Sequence, residues 1–221
     1  MARSVVLKPS VRCEGCRLPL RWCVCPAAEV VETPLAVDVL MHHREQWRPS
    51  STGHLVCRAI AGARRHVWRR GAEPAAEAVR RPGRELWILH PAGEEMPVEA
   101  KLENVQVLLL DGAWREATAM AQEVASWGRR VRLPMTGESR YWLRTQQTGG
   151  RFSTVEALAF LFGALGLEEA RAKLELQLEL HVYAGLRARG QVESAEEFLS
   201  GSRLREAMPE FIAQMNVRRP R

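Results

Sequence analysis

Nowhere in these 221 residues is there an apolar run of the ~18 residues that a membrane-crossing helix needs, so none is expected. The N-terminus, MARSVVLKPSVRCEGC, also lacks the apolar stretch and small-residue cleavage site of a secretory signal, and the expected compartment is the cytoplasm. Lysine is scarce: of 32 basic residues, Lys8, Lys101 and Lys173 are the only Lys and the other 29 are Arg. A GC-rich genome writes Arg for Lys, so the net charge of +6 says little by itself. Its distribution says more. Residues 40–90 hold ten Arg against four Glu, and 129–151 hold six Arg against Glu138, while 168–199 hold seven Glu against four basic residues. That segregation predicts a basic face and a polyanionic partner, nucleic acid above all. No internal repeat or low-complexity linker divides the chain. Its 46% hydrophobic content suits one good-sized domain plus a small appendage.

Four of the five cysteines fall within thirteen residues, in CEGCRLPLRWCVC. Cys13 and Cys16 form a C-x2-C pair, and Cys23 and Cys25 a C-x-C pair. Two chelating pairs on a short loop can close a tetrahedral thiolate site around Zn²⁺. Disulfides compete with that reading, but a reducing cytoplasm disfavours them. With four Cys ligands the metal has no open position, so its expected role is structural. Cys57 sits in an apolar helical pattern and is expected to be a core thiol.

Along the chain, PLAVDVLMHH (34–43) reads as a strand, and HLVCRAIAGARRHVWRRG (54–71) as a helix ending near Gly71. ELWILHP is a short strand closed by Pro91, VQVLLL (105–110) a buried strand, 114–127 a helix and 130–135 a further short strand. Residues 134–152 read as loop. Ser153 and Glu156 form a capping box ahead of an apolar helix over 153–165. Leu174, Leu176, Leu178, Leu180 and Val182 alternate like a strand, yet the segment is built of strong helix formers and predicts a helix apolar on two sides. Short helices close the chain, in SAEEFL and SRLREAMPEFIAQM. Strands alternating with helices predict an α/β domain with a mainly parallel sheet flanked by helices. Residues 1–30 would form the zinc segment and 31–221 the main domain.

In such a sheet, ligands bind beyond the carboxyl ends of the strands. Asp111 falls at that edge, as do His90–Pro91 and His42–His43. Asp111 fits two roles, a cap on the following helix and a carboxylate that does chemistry. Trp114 is either a core anchor or a flat surface for a base. Ser153, Thr154 and Glu156 are explained by capping alone, or bind an anion at the helix N-terminus. Arg140 and Arg144, flanking aromatics in SRYWLR, suit phosphate beside bases.

Taken in order, these segments resemble the DTW-domain family of transfer RNA uridine aminocarboxypropyltransferases. The resemblance is carried by the cysteine cluster, HHREQWRPSSTG (42–53), WILHP (87–91), LLLDGAW (108–114), SRYWLRTQ (139–146) and STVEALA (153–159). The naming D-x-T-W reads here Asp111, Gly112, Ala113, Trp114, with Ala113 where a hydroxyl residue is usual. The usual TNTG reads Ser50, Ser51, Thr52, Gly53, and the usual YP reads His90–Pro91. The resemblance implies a SPOUT-like fold with a C-terminal trefoil knot that holds S-adenosylmethionine. It implies transfer of the 3-amino-3-carboxypropyl group to N3 of a tRNA uridine, with 5′-methylthioadenosine released. Asp111 would be the general base. Leu89, His90, Pro91, Leu110, Gly112, Ala113, Trp114, Ser153, Thr154 and Glu156 would contact the cofactor, and Ser51, Thr52, Gly53, Arg140 and Arg144 the RNA. No protein partner is implied. Two alternatives stand beside this reading: a related SPOUT-type RNA methyltransferase, and a non-catalytic zinc-containing RNA-binding module.

Overall fold

The computed structural model describes residues 11–97, 100–144 and 151–217. Five strands form one sheet: β1 (Ala36–His42), β2 (Arg64–Trp68), β3 (Glu85–Glu94), β4 (Val105–Asp111) and β5 (Arg129–Val131). Their order is β2-β1-β4-β3-β5, and every neighbouring pair is parallel. The predicted α/β class with a parallel sheet is what the chain forms. Parallel strands need long crossovers that lay helices on both faces, so the central strands bury both of their sides. Every residue of β1 is buried, and in β4 all but Leu110 are. The strand period of two then sorts the core into layers. Val37, Val39, Met41, Val107 and Leu109 face one cluster, and Leu40, Leu86, Ile88 and Leu108 face the other.

The first layer is covered by α1 (Thr52–Ala59), α4 (Thr154–Ala164) and the long α5 (Glu168–Ala188). The second is covered by Val79 of the short α2 (Ala76–Val79) and by Met120 of α3 (Trp114–Glu123), with Val124 just beyond it. The alternating leucines lie, as expected, on one continuous helix. Leu174, Leu178, Leu180, Val182, Tyr183 and Leu186 of α5 are all buried, because α5 is packed on more than one side. Beyond it come α6 (Val192–Ser200), α7 (Leu204–Ala207) and α8 (Pro209–Asn216). The predicted closing helix over 202–215 is broken at Met208–Pro209, since Pro209 cannot donate the N–H an internal turn needs and opens a new helix instead. The cysteine segment leans on the same body. Cys16, Leu18 and Val24 are buried in the first core layer, and Gln177 Nε2 of α5 donates to the Ala27 carbonyl at 3.1 Å.

Four boundaries differ from the sequence reading. The helix expected over 114–127 ends at Glu123. The expected helix over 54–71 is a short helix followed by a strand. α1 ends at Ala59, Gly62 turns the chain at φ +65°, and β2 runs back along the edge of β1. The strand extends past Pro91 to Glu94, because the β3–β5 ladder is irregular between Leu89 and Glu94 and asks no hydrogen bond of the proline. The strand expected over 130–135 is confined to Arg129–Val131. Among the described residues, no helix is long and apolar enough to cross a membrane.

Candidate active site

At the carboxyl ends of the strands lies a cavity of about 910 Å³. Its walls include Leu89, His90 and Pro91 of β3, Leu110 and Asp111 of β4, Gly112, Ala113 and Trp114 leading into α3, and Ser153 and Thr154 opening α4. Asp111, only 4% exposed, accepts three hydrogen bonds. Ser51 Oγ donates to Oδ2 at 2.7 Å, and both Thr154 Oγ1 (2.7 Å) and the Gly53 N–H (3.2 Å) donate to Oδ1. The approach at Gly53 is so close that a Cβ there would lie 2.6 Å from the carboxylate. Three segments far apart in sequence, 50–54, 111–114 and 153–156, thus meet on one carboxylate.

That geometry removes the capping role for Asp111. The N-cap of α3 is Ala113, whose N–H donates to Glu116 Oε2 at 2.8 Å. Half a capping box is made, and a methyl group cannot make the other half. Trp114 is no core anchor either: it is 40% exposed, lines the cavity, and carries the Arg151 guanidinium 5.5 Å above its ring. Arg44, Arg115, Arg132, Arg144 and Arg151 all line the cavity, against Asp111 and Glu116 as its acidic groups.

The DTW domain, as a family, matches residues 10–184. The chain belongs to the DTW-domain family. It is 28% identical over 184 residues to tRNA-uridine aminocarboxypropyltransferase 2 of Drosophila melanogaster, an alignment covering 76% of this chain and 70% of that protein. No solved structure matches it.

The segments that carry the DTW resemblance do not all face the cavity. Thr52 lines it, while Ser51 and Gly53 act from behind by holding Asp111. Glu156 is outside its lining. Its carboxylate accepts from the Ser153 N–H (2.6 Å), Ser139 Oγ (2.9 Å) and the Arg140 N–H (2.7 Å), tying the 139–140 turn to α4. Arg140 is likewise outside it, bound to Glu179 at 3.2 Å with its guanidinium 4.2 Å from the Phe198 ring. Arg144 does reach the cavity, paired with Glu45 at 2.5 Å. The end of SRYWLRTQ, residues 145–146, lies outside the described residues.

Two participants, Glu45 and Tyr141, are not marked by the sequence, and a third, His42, is marked only by its place at the strand edge. Glu45 is fully buried and bonds both Arg48 and Arg144. The Tyr141 hydroxyl donates to the Ser50 carbonyl, latching the Arg144 turn to the Ser51 loop. His42 is buried with Nδ1 at 3.3 Å from Glu116, and burial pushes its imidazole pKa down. Nothing in the spacing of Glu45 or Tyr141 marks them; only their neighbours in the fold do.

At the other end of the first core layer, Cys13, Cys16, Cys23 and Cys25 bring their sulfurs within 4.8 Å of one another and can hold a metal ion. Cys13 Sγ lies 3.6 Å from Cys25 and Cys16 Sγ 3.8 Å from Cys23, so none of the four is disulfide-bonded. Zn–S bonds of ~2.3 Å at tetrahedral angles put sulfurs about 3.8 Å apart, so the spacing fits that ion. Arg58 supplies a second observation. Among the described residues its Nε and Nη2 are buried with no partner, and its charge favours the Cys25 thiolate, which suits the net negative charge of a tetrathiolate centre. The Cys13 thiol is pulled down to about 6, chiefly by the Cys16 backbone, while burial pushes Cys25 up to about 12. Cys57 is a partly buried thiol pushed up to about 12 by burial, in keeping with an inert core residue.

Proposed function

We propose that this protein is a tRNA-uridine aminocarboxypropyltransferase acting in the cytoplasm. It moves the 3-amino-3-carboxypropyl group of S-adenosylmethionine to N3 of a tRNA uridine and releases 5′-methylthioadenosine. Residues 31–221 form the catalytic body, with a knotted C-terminal half, and residues 1–30 a segment held by one structural Zn²⁺. The observation that carries the reading is the convergence of Ser51, Gly53 and Thr154 on Asp111, in an arginine-lined cavity of a DTW-family chain.

The cavity wall suits the cofactor. Leu89, Pro91, Leu110, Leu133 and Met135 offer apolar surface for an adenosine, and Gly112 and Ala113 allow close backbone approach. Ser153 and Thr154 open α4, whose first N–H groups suit a carboxylate. S-adenosylmethionine, when bound, supplies a sulfonium that activates each carbon attached to it. Which carbon reacts is then a matter of positioning.

Uridine N3 is a poor nucleophile until its proton leaves, and Asp111 is the carboxylate that takes it. A carboxylate offers about four lone-pair positions, and three on Asp111 are already filled. The remaining one is on Oδ2. Its partners therefore fix both where the carboxylate points and which oxygen receives the proton. Trp114 offers its face to a base, and the arginines at the rim offer partners for phosphate.

Mass spectrometry of nucleosides from tRNA incubated with the protein and S-adenosylmethionine is the test. A uridine heavier by the aminocarboxypropyl group is the expected product. A gain of a methyl group would instead make the protein a methyltransferase, and unchanged nucleosides an RNA-binding module.

A further inference from the structure

One large apolar side chain stands in water beside this site. Trp47 is 75% exposed, although a tryptophan has more apolar surface to gain from burial than almost any other residue. A loose loop would explain that, but the turn carrying it is pinned. Trp47 ends the 3-10 helix His43–Trp47, and the next N–H, of Arg48, closes onto the Glu45 carbonyl at 3.0 Å. Glu45 is fully buried and bonds Arg48 Nη1 at 2.6 Å as well as Arg144. Gln46 donates to the His43 carbonyl, and its own carbonyl bonds the His54 ring at 3.0 Å. The turn that presents the exposed indole is therefore fixed, not a loose loop.

Its neighbours name the kind of partner. Arg44 and Arg48, with side chains 67% and 45% exposed, precede and follow Trp47 in sequence along the same turn. Arg44 also lines the cavity, as does Arg144 on the far side of Glu45. A protein interface would surround an exposed tryptophan with further apolar surface, whereas the other residues of this turn, His43, Arg44, Glu45, Gln46 and Arg48, are all polar. A flat aromatic with cations beside it, next to a nucleotide-sized cavity, matches an unpaired nucleotide: base on the ring, phosphate on the guanidinium.

We propose that Trp47 is a stacking platform for an unpaired base of the RNA, next to the nucleotide that enters the cavity, with Arg44 on the phosphate between them. The inference rests on the RNA substrate proposed above. It assigns the turn 43–48 a task that the cavity residues do not perform, which is to select a single-stranded or splayed-out stretch of RNA.

Equilibrium binding of tRNA, and of an unstructured oligouridylate, to the full chain tests this across a range of salt. Trp47→Ala should weaken both by about 5- to 150-fold, the worth of one base–aromatic stack, and Trp47→Phe should keep most of the affinity. The salt dependence should be unchanged in both variants, whereas Arg44→Ala should lower its slope by about one phosphate. Both Trp47 variants should unfold at the wild-type temperature. Oligouridylate affinity of the Ala variant within about twofold of wild type, short of one stack, overturns the proposal. So does a dimer that Trp47→Ala converts to monomer with RNA affinity intact, because the indole would then belong to a second copy of this chain. If the wild type binds RNA through Trp47 yet modifies no uridine, the reaction fails and the platform stands. If it modifies uridine and Trp47→Ala binds as well as wild type, the platform alone fails.

Discussion

At the scale of the residue, the three donors on Asp111 decide which substitutions are informative. Asp111→Asn keeps size and shape. The Oδ1 side can still accept from Gly53 and Thr154, and the Ser51 hydroxyl can turn to accept from the new amide. The fold should therefore hold, with the unfolding temperature nearly unchanged, while single-turnover transfer falls by ~10²–10⁴-fold, the usual worth of a general base. A rate within about threefold of wild type would leave the carboxylate a purely structural role. Gly53→Ala approaches the same group from outside. Its Cβ would press on the carboxylate at 2.6 Å, so the aspartate or the loop must shift, at about 1–3 kcal/mol for an overpacked site. Activity should drop as it does for Asn, but with a lowered unfolding temperature. Asp111 was legible in the sequence because it ends a buried strand. That Ser51, Gly53 and Thr154 would converge on it was not, since Ser51 lies 60 residues away and Thr154 lies 43 away, and only the pairing of β1 with β4 and the packing of α4 bring them together.

At the scale of the element, segments with one strong period were legible and short ones were not. α5 was readable because helix formers outweigh an accidental alternation over 21 residues. The stretch 54–71 was misread because α1 and β2 are eight and five residues long, too short for either period to declare itself. Local chemistry does predict how α3 can be improved. Ala113 leaves the capping box half made, so Ala113→Ser should complete it and add about 0.5–2 kcal/mol, measured as a higher denaturation midpoint. An unchanged midpoint would mean that the N3 amide is already satisfied. The cysteine segment behaves as an element too, since Cys16, Leu18 and Val24 are buried in the main core. Metal analysis of protein purified under reducing conditions should find about one zinc per chain. Chelation should then loosen residues 13–25 first, seen as faster amide exchange there and a lower unfolding temperature. A disulfide within the cluster, or amide exchange unaffected by chelation, would speak against the zinc.

At the scale of the whole molecule, the arginine excess overstates the basic surface, because part of it is tied up in bonds within the protein. Arg64 and Arg81 converge on Asp38, and Arg84 bonds the carbonyls of Pro34 and Val105, so these three of the ten in 40–90 are tied up in the sheet. A charge count cannot separate them from Arg44 or Arg115 at the cavity; burial does. The Asp38 cluster in turn sets how the molecule responds to acid. Asp38 is fully buried in β1 and accepts from Arg64, Arg81 and Gln106, with His66 at 3.5 Å. Burial alone would raise its carboxyl pKa, but the nearby His66 ring and the bonds from Arg81 and Arg64 outweigh it and hold the group well below the usual carboxylate range. A depressed folded pKa gives stability that is complete above the unfolded value of ~3.9 and is lost as pH falls through the folded one. Asp38→Asn should therefore cost about 3–5 kcal/mol near neutrality, the range for breaking a buried pair. In urea denaturation, the gap between wild type and variant should be full at pH 5 and shrink below about pH 4. A gap that stays constant or widens toward pH 3 would show that the carboxylate charge is not what joins β1 to β2 and to the Arg81 turn.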